Sequence, residues 1–343
     1  MRSRLLAVAA TAVAVLIAGV AFAHTAPVRV GLRSHLFLVH RDGGALRLTG
    51  GRDENRAPVW CRSGRRIVAL DSRVEVRAAR DGRLLYRLSW GAGFPDWVAP
   101  SPDCKRVAVV THVNGRGRIV LVDLNGRRRV LVRDGLLRCG GRQHPCPVWA
   151  PDGRTLYYGC DYDVCSVRTE PGSLPRVLIH DVYDGPQISP QGDWLAFLRN
   201  REDPNVSGLW IARADGSDER HLLGGPSVAS IVFGWVPGGN DVFAHGGEAG
   251  RRILVISRSG SRHRIGRRFH GGLVALSPDR RRIAWTHQRY GRDIRVESSR
   301  FDGSGFRVLA RFESKGGLTE IDTLAWSRDG TELLVEPHRH IGD

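Results

Sequence analysis

The sequence contains almost no lysine and lacks the periodicity of long helices. Among its 343 residues, lysine occurs only at positions 105 and 315, so the formal net charge of +17 rests on arginine. No stretch shows a sustained apolar period of 3.6 residues, which excludes an architecture built on long helices. The 42 glycines and 17 prolines predict frequent turns. We therefore expect an all-β chain.

Several catalytic motifs are also missing. The sequence has no G-x-S-x-G nucleophile elbow, no H-E-x-x-H helix and no P-loop. The segment Ser327 to Thr331 does not reproduce the Ser-x-Asp-x-Gly-x-Thr box of sugar hydrolases, because its spacing differs. These absences favour a non-enzymatic protein, although carboxylates or histidines in a central channel would still allow catalysis.

One pattern recurs seven times along the chain. An apolar or aromatic residue is followed by a small residue or proline, a turn similar to Pro-Asp-Gly, and a short apolar strand. The last turn positions, spaced 39 to 50 residues apart, are Gly64, Cys104, Gly153, Gly192, Gly239, Arg280 and Gly330. This is the period of propeller blades, and a second hairpin after each copy gives four strands per blade.

The chain ends predict how the ring closes. The hairpin at 36–48 precedes the first complete repeat and supplies the outer half of a blade, whereas 324–335 supplies an inner half. Pairing these halves would lock the ring without free sheet edges. We predict a seven-bladed β-propeller of four-stranded antiparallel blades, with six or eight blades as the alternative.

The turn motif and its spacing resemble the WD-like propeller repeats of the TolB family over roughly residues 30 to 336. The resemblance implies a bacterial β-propeller. The sequence differs from TolB in having seven copies instead of six, and in its cysteines.

The first residues have the features of an export signal. Arg2 and Arg4 precede an apolar run, which ends at the small-x-small sequence Ala21 to Ala23. We predict a signal peptide at 1–23, a linker at 24–33, the propeller at 34–337 and a tail at 338–343. The alternative for residues 1–23 is an uncleaved membrane anchor. Export would place the protein in the periplasm or cell envelope, or outside the cell.

Six cysteines in an exported chain indicate disulfides. Cys61 and Cys104 fall at first turns on one face of the ring, and the other four cysteines fall on the opposite face. Three pairings then remain. We favour Cys61–Cys104, Cys139–Cys146 and Cys160–Cys165, with zinc binding by the last four as an alternative, although their spacing is not the paired C-x₂-C.

Polar residues at the entrances of the innermost strands are candidates for a cation or ligand site at the channel mouth. They are Asp96, His144, Asp184 and Asp322. Converging carboxylates could hold Ca²⁺ through oxygen ligands, and no other cofactor or metal is predicted. The alternative is that each residue caps a turn or bonds the backbone of a neighbouring blade.

The predicted function is that of an exported, non-catalytic scaffold that binds a protein partner. Its expected working surface carries the loops that connect blades, including segments 136–147 and 311–322. The alternatives are a channel-centred hydrolase or lyase acting on carbohydrate or lactone, and a binder of anionic envelope polymers through arginine. Export argues against a nucleic-acid partner, and membrane attachment is expected only if the signal segment is uncleaved.

Overall fold

The computed structural model describes residues 28–29, 35–50, 56–135, 137, 146–200, 203, 206–224, 231–246, 249, 251–268, 272–288, 293–313 and 318–340. Within this part of the chain the structure is all-β, with 29 strands in seven sheets. None of these residues belongs to a helix with the length and apolarity needed to span a bilayer.

Seven four-stranded antiparallel blades form the ring, which confirms the predicted fold. Within each blade, consecutive strands run from the innermost position to the outermost. Blade 1 contains β4 (Arg56–Trp60), β5 (Arg66–Leu70), β6 (Val74–Ala78) and β7 (Leu84–Leu88). Blade 2 contains β8 (Phe94–Pro100), β9 (Arg106–Val113), β10 (Arg116–Asp123) and β11 (Arg128–Gly135). Blade 3 contains β12 (Val148–Trp149), β13 (Thr155–Cys160), β14 (Asp163–Arg168) and β15 (Arg176–Ile179).

The second half of the ring repeats this order. Blade 4 contains β16 (Asp184–Ile188), β17 (Trp194–Arg199), β18 (Gly208–Arg213) and β19 (Arg220–Gly224). Blade 5 contains β20 (Val232–Trp235), β21 (Asp241–His245), β22 (Ile253–Ser257) and β23 (Arg262–Ile265). Blade 6 contains β24 (Val274–Leu276), β25 (Arg282–Gln288), β26 (Asp293–Arg300) and β27 (Arg307–Glu313).

Blade 7 closes the ring with strands from both ends of the chain. It contains β28 (Leu318–Trp326), β29 (Glu332–His340), β2 (Phe37–His40) and β3 (Ala45–Arg47). β2 pairs antiparallel with β29 through Phe37–Val335 to His40–Glu332. The predicted closure is therefore confirmed. The short strand β1 (Val28–Arg29) adds a parallel fifth strand to the outer edge of blade 6.

The seven repeat turns share one backbone conformation. The last turn residue of each copy has a positive φ, between 57° and 87°. Its N–H donates a hydrogen bond to the carbonyl three residues earlier. Cys104 and Arg280 adopt this left-handed conformation at φ values of 57° and 58°, where glycine stands in the other copies. The surrounding hairpin therefore imposes a strained conformation on two residues with a Cβ.

Each hydrophobic core cluster lies between two neighbouring blades. Alternate residues of a strand point to opposite faces of its sheet. Thus Ile67 and Ala69 of β5 pack toward blade 7, whereas Val68 and Leu70 pack toward blade 2. Because both faces of each sheet are buried, the second strands are continuously apolar instead of alternating.

Tryptophans at the ends of four inner strands join blades by hydrogen bonds. Each indole N–H donates to a backbone carbonyl on the inner strand of the preceding blade, over 2.9–3.1 Å. The pairs are Trp60 with Ala325, Trp149 with Ala99, Trp235 with Gln187, and Trp326 with Ala275. These bonds join blade 7 to 1, 2 to 3, 4 to 5 and 6 to 7.

The disulfide Cys61–Cys104 joins blades 1 and 2, a seam that none of these four tryptophan bonds crosses. Its Cα atoms are 5.6 Å apart. A second disulfide, Cys160–Cys165, spans the β13–β14 hairpin. Both predicted pairs are confirmed. Cys146 is disulfide-bonded as well, and its predicted partner Cys139 lies outside the described residues.

Replacing Trp149 by phenylalanine should lower the free energy of unfolding by about 1–2 kcal/mol, because the buried carbonyl of Ala99 loses its donor. Chemical denaturation monitored by circular dichroism measures the loss. The control is Trp90→Phe, since that indole bonds only Gly93 within its own loop. Equal losses in both variants would mean that the bond between blades contributes no specific stability.

The two described disulfides should differ in their effect on stability. The cysteines of the Cys61–Cys104 bridge are 43 residues apart, and those of the Cys160–Cys165 bridge are 5 apart. From loop-closure entropy, we expect the disulfide to stabilise the folded protein by about 4 kcal/mol for the longer loop and about 2 kcal/mol for the shorter one. We expect the Cys61→Ala/Cys104→Ala variant to unfold at a lower denaturant concentration than Cys160→Ala/Cys165→Ala. The reverse order would show that loop length does not determine how much each disulfide stabilises the protein.

Candidate functional site: the central channel and its mouths

The inner strands surround a central channel with two different mouths. They begin at the face that carries the loops between blades, here called the connection face, and end at the face of the repeat turns, here called the turn face. At the turn face the channel widens into a cavity of about 460 Å³. Its walls are mainly tryptophan, proline and aliphatic residues, including Trp60, Trp149 and Trp235.

The middle of the channel is lined mainly by apolar residues. A cavity of about 180 Å³ there is lined by side chains such as Trp97, Phe233 and Leu324. Polar side chains return at the connection face, where a second cavity of about 180 Å³ opens. This cavity, here called the acidic mouth, is lined by Arg56, Ala57, Leu70, Pro95, Asp96, Trp97, Asp322, Thr323 and Glu336.

Glu336 is the most deeply buried charged group of the acidic mouth, with 2% of its surface exposed. Its Oε2 accepts hydrogen bonds from the backbone N–H of Ala57, at 3.1 Å, and from the hydroxyl of Thr323, at 3.2 Å. Burial, reinforced by the nearby charge of Asp322, raises the pKa of Glu336 to about 8. The carboxyl group is therefore largely protonated at neutral pH.

The acidic mouth brings together two of the four predicted site residues. Asp96 and Asp322 line the same cavity. Asp96 also contacts His112, with 2.6 Å between Oδ2 and Nδ1. Asp184 is not among the lining residues, and its Oδ1 accepts the N–H of Gly185. His144 lies outside the described residues.

The sequence interpretation missed Glu336, because it considered only the entrances of the innermost strands. Glu336 lies on β29, the second strand of blade 7, opposite Thr323 of β28. The available signal was a carboxylate directly after the buried run Leu333 to Val335. Within the described residues, no group of three or more His, Cys, Asp or Glu side chains is arranged to hold a metal ion.

Large apolar side chains are exposed on the connection face around this mouth. Phe94, the first residue of β8, is 84% exposed. Tyr162, in the β13–β14 turn, and Tyr183, before β16, are 52% and 43% exposed. The backbone N–H of Val182 donates to the carbonyl of Tyr162, which holds these two loops together. The Cys160–Cys165 disulfide fixes the same hairpin.

Many arginines are engaged within the ring. The guanidinium groups of Arg213, Arg220 and Arg258 lie 4.5–5.4 Å from the ring centroid of buried Trp194. Arg220 also pairs with Asp218, and Arg258 with Asp193. These arginines stabilise the seam between blades 4 and 5 by stacking and ion pairing. Asp218 and Asp193 therefore offset part of the charge of these three arginines.

Comparison with known proteins supports the repeat assignment. No protein-family model matches the chain. A 128-residue segment, 36% of the chain, is 27% identical to the Tol-Pal system protein TolB of Anaeromyxobacter dehalogenans and covers 28% of it. The chain spans about half the length, or less, of the curated relatives it matches.

Solved structures extend the comparison to nearly the whole ring. A putative TolB from Agrobacterium tumefaciens matches 91% of this chain and 100% of its own, with a TM-score of 0.51 and 18% identity. The chain is a TolB-like, WD-like β-propeller. An oligogalacturonate lyase in complex with manganese matches 92% of this TolB-like propeller and 99% of its own chain, with a TM-score of 0.66 and 13% identity. At these identities the structural matches show the fold alone.

Glu336 should make the stability of this TolB-like propeller depend on pH. A carboxyl whose pKa is higher in the folded state stabilises the protein below about pH 4.5, and this contribution is lost as the pH rises through about 8. The Glu336→Gln variant keeps a neutral side chain at every pH. We therefore expect its melting temperature to rise relative to wild type between pH 5 and pH 8.5, as measured by scanning calorimetry.

The matched control is Glu170→Gln, which removes an exposed carboxylate that pairs with Arg168. Its melting temperature should follow that of the wild type across the same range. A difference between wild type and Glu336→Gln that stays constant with pH would contradict the raised pKa.

Proposed function

We propose that this TolB-like propeller is an exported scaffold of the bacterial cell envelope that binds a protein partner through its connection face. The observation that carries this proposal is the set of exposed aromatic residues on that face, Phe94, Tyr162 and Tyr183. Aromatic side chains are enriched in protein interfaces and at their energetic centres. A rigid ring that presents them on short loops loses little conformational freedom on binding.

The compartment and the relatives support the same proposal. Disulfides persist in oxidising compartments outside the cytoplasm, and the ring contains at least the two described pairs. The relatives named TolB belong to the Tol-Pal system, as their name states. We propose export by the signal peptide at 1–23, followed by retention in the periplasm or envelope.

A photo-crosslinking amino acid at position 94 or 183 should yield discrete adducts with a protein partner in envelope fractions of the native host. The control is position 174, because Leu174 is 81% exposed but lies in the β14–β15 turn on the turn face. Phe94→Ala or Tyr183→Ala should weaken binding of the identified partner about fivefold or more, since truncation of an aromatic residue at the energetic centre of an interface costs over 1 kcal/mol. Equal adducts at position 174 would contradict a connection-face interface.

Salt dependence separates this proposal from binding of an anionic envelope polymer. Attraction of a polyanion to arginines weakens steeply as ionic strength rises. Crosslinking through aromatic side chains should persist at 0.5 M salt. Loss of all adducts under that condition would favour the polymer.

A second candidate is a channel-centred enzyme acting on a carbohydrate or lactone. The specific observation in its favour is Glu336, a carboxyl group in the acidic mouth whose pKa of about 8 suits proton transfer near neutral pH. The similar fold of an oligogalacturonate lyase supplies a substrate class to test. Turnover of an oligogalacturonate by wild type, and not by Glu336→Gln, would favour this candidate over a scaffold.

A further inference from the structure

The cavity at the turn-face mouth of the channel, here called the turn-face cavity, has the size and lining of a small-molecule site. Its volume of about 460 Å³ lies within the range of roughly 300–1,000 Å³ that is typical of ligand pockets. Blades 1 to 5 contribute to its wall. Within the described residues this wall includes three tryptophans and five prolines, the latter being Pro100, Pro102, Pro147, Pro151 and Pro190.

The tryptophan rings of this cavity are held in place by the fold. The indole N–H groups of Trp60, Trp149 and Trp235 form the bonds between blades described above. The guanidinium of Arg106 lies 5.3 Å from the ring centroid of Trp149. Within the described part of the chain, the rings of Trp60 and Trp235 have no aromatic or guanidinium partner. They are therefore rigid and available to an aromatic ring that enters the cavity.

Most polar side chains of the wall already serve the fold. The hydroxyl groups of Ser101 and Ser189 are bonded within their own repeat turns. The amide of Gln187 donates to a carbonyl of blade 5 over 3.3 Å. Arg62 differs, because its side chain is exposed and no hydrogen bond or ion pair among the described residues engages its guanidinium. This group is therefore available to a ligand.

The charge of the wall favours an anion. Arg62 is the charged member of the described lining residues, which include no carboxylate. Arg328, also exposed, donates to the backbone carbonyl of Arg62 over 3.4 Å and adds a second positive charge beside it. The carboxylate of neighbouring Asp329 is bonded to hydroxyl groups of its own turn. A guanidinium offers parallel N–H donors that match the two oxygens of a carboxylate.

We propose that the turn-face cavity binds a small aromatic carboxylic acid in its ionised form. The ligand's ring packs against Trp60 and the prolines, and its carboxylate pairs with Arg62, two residues further along the chain. One guanidinium matches one carboxylate, and the volume accommodates a bicyclic ring. The site lies on the face opposite the proposed protein interface and does not depend on that interface.

The test is isothermal titration calorimetry of the purified, oxidised protein with 2-naphthoate at pH 7, where the carboxylate is ionised. Two related compounds separate the contributions of charge and ring. 2-Naphthylmethanol has the same ring without the charge, and cyclohexanecarboxylate has the charge without an aromatic ring. We expect each to bind about fivefold more weakly than 2-naphthoate. The affinity for 2-naphthoate should also fall as the salt concentration rises.

Arg62→Gln should weaken binding of 2-naphthoate about fivefold and remove the preference over 2-naphthylmethanol. The matched control is Arg65→Gln, which removes the same charge three positions along the chain. Arg65 is exposed as well, and it is not among the described lining residues. Its variant should bind as wild type does. Because neither side chain is buried, both variants should keep the fold.

Variants of Trp60 test the contact with the ring. Trp60→Leu should weaken binding about fivefold, whereas Trp60→Phe, which retains an aromatic ring, should lose less affinity. Both variants lose the indole bond to Ala325 equally, so this difference reports on the ring. Trp326→Leu removes the corresponding bond to Ala275 outside the described wall of the cavity. This control should leave the affinity for 2-naphthoate unchanged.

Three results would overturn the proposal. The first is the absence of 2-naphthoate binding to wild type at millimolar concentration. The second is equal affinity of wild type and Arg62→Gln for 2-naphthoate. The third is tighter binding of D-galacturonate than of 2-naphthoate, which would assign the cavity to an acidic sugar. Because the titration contains no protein partner, its failure would leave the proposed connection-face interface standing.

Discussion

The packing of apolar side chains between neighbouring blades is the interaction on which the remaining structure depends. Every core cluster spans a seam, so no blade has a hydrophobic core of its own. A single blade would expose two apolar faces to water, which makes closure of the ring necessary for stability. The pairing of β2 with β29 supplies that closure, and the tryptophan bonds and the Cys61–Cys104 disulfide reinforce individual seams.

This packing also determines where polar chemistry is available. Because the seams and the middle of the channel are apolar, polar side chains of the inner layer concentrate at the channel mouths. Glu336 is a buried polar side chain at the otherwise apolar seam between blades 7 and 1. Its burial is possible because a backbone N–H from blade 1 and a hydroxyl from β28 donate hydrogen bonds to its Oε2. The carboxyl group of Glu336 stays largely neutral at pH 7 because burial raises its pKa. The same closure that stabilises the ring therefore also buries a carboxyl group and raises its pKa.

The repeat turns made the fold predictable from sequence, because each turn constrains its hairpin independently of the rest of the chain. Gly64 and Gly330 directly indicate a turn residue with a left-handed backbone conformation. Cys104 and Arg280, which adopt the same conformation, are recognised only by their spacing from the other copies. The candidate site was less predictable. The repeat pattern identifies the entrances of inner strands, and so Asp96 and Asp322, but Glu336 lies on a second strand. Its access to the channel depends on how blades 7 and 1 meet, which no local pattern records.

The two faces of the ring differ in how the fold uses their polar side chains. The turn face has capped, hydrogen-bonded turns, in which carboxylates such as Asp103 and Asp329 are held by serine hydroxyls and backbone N–H groups. Hydrogen bonds from Ser327 and Thr331 lower the pKa of Asp329, which shows that this carboxylate serves the turn. On the connection face, the ring of Phe94 is exposed instead of being packed into a seam. The exposed aromatic side chains of Phe94, Tyr162 and Tyr183 are therefore the ones on which the proposed protein interface depends.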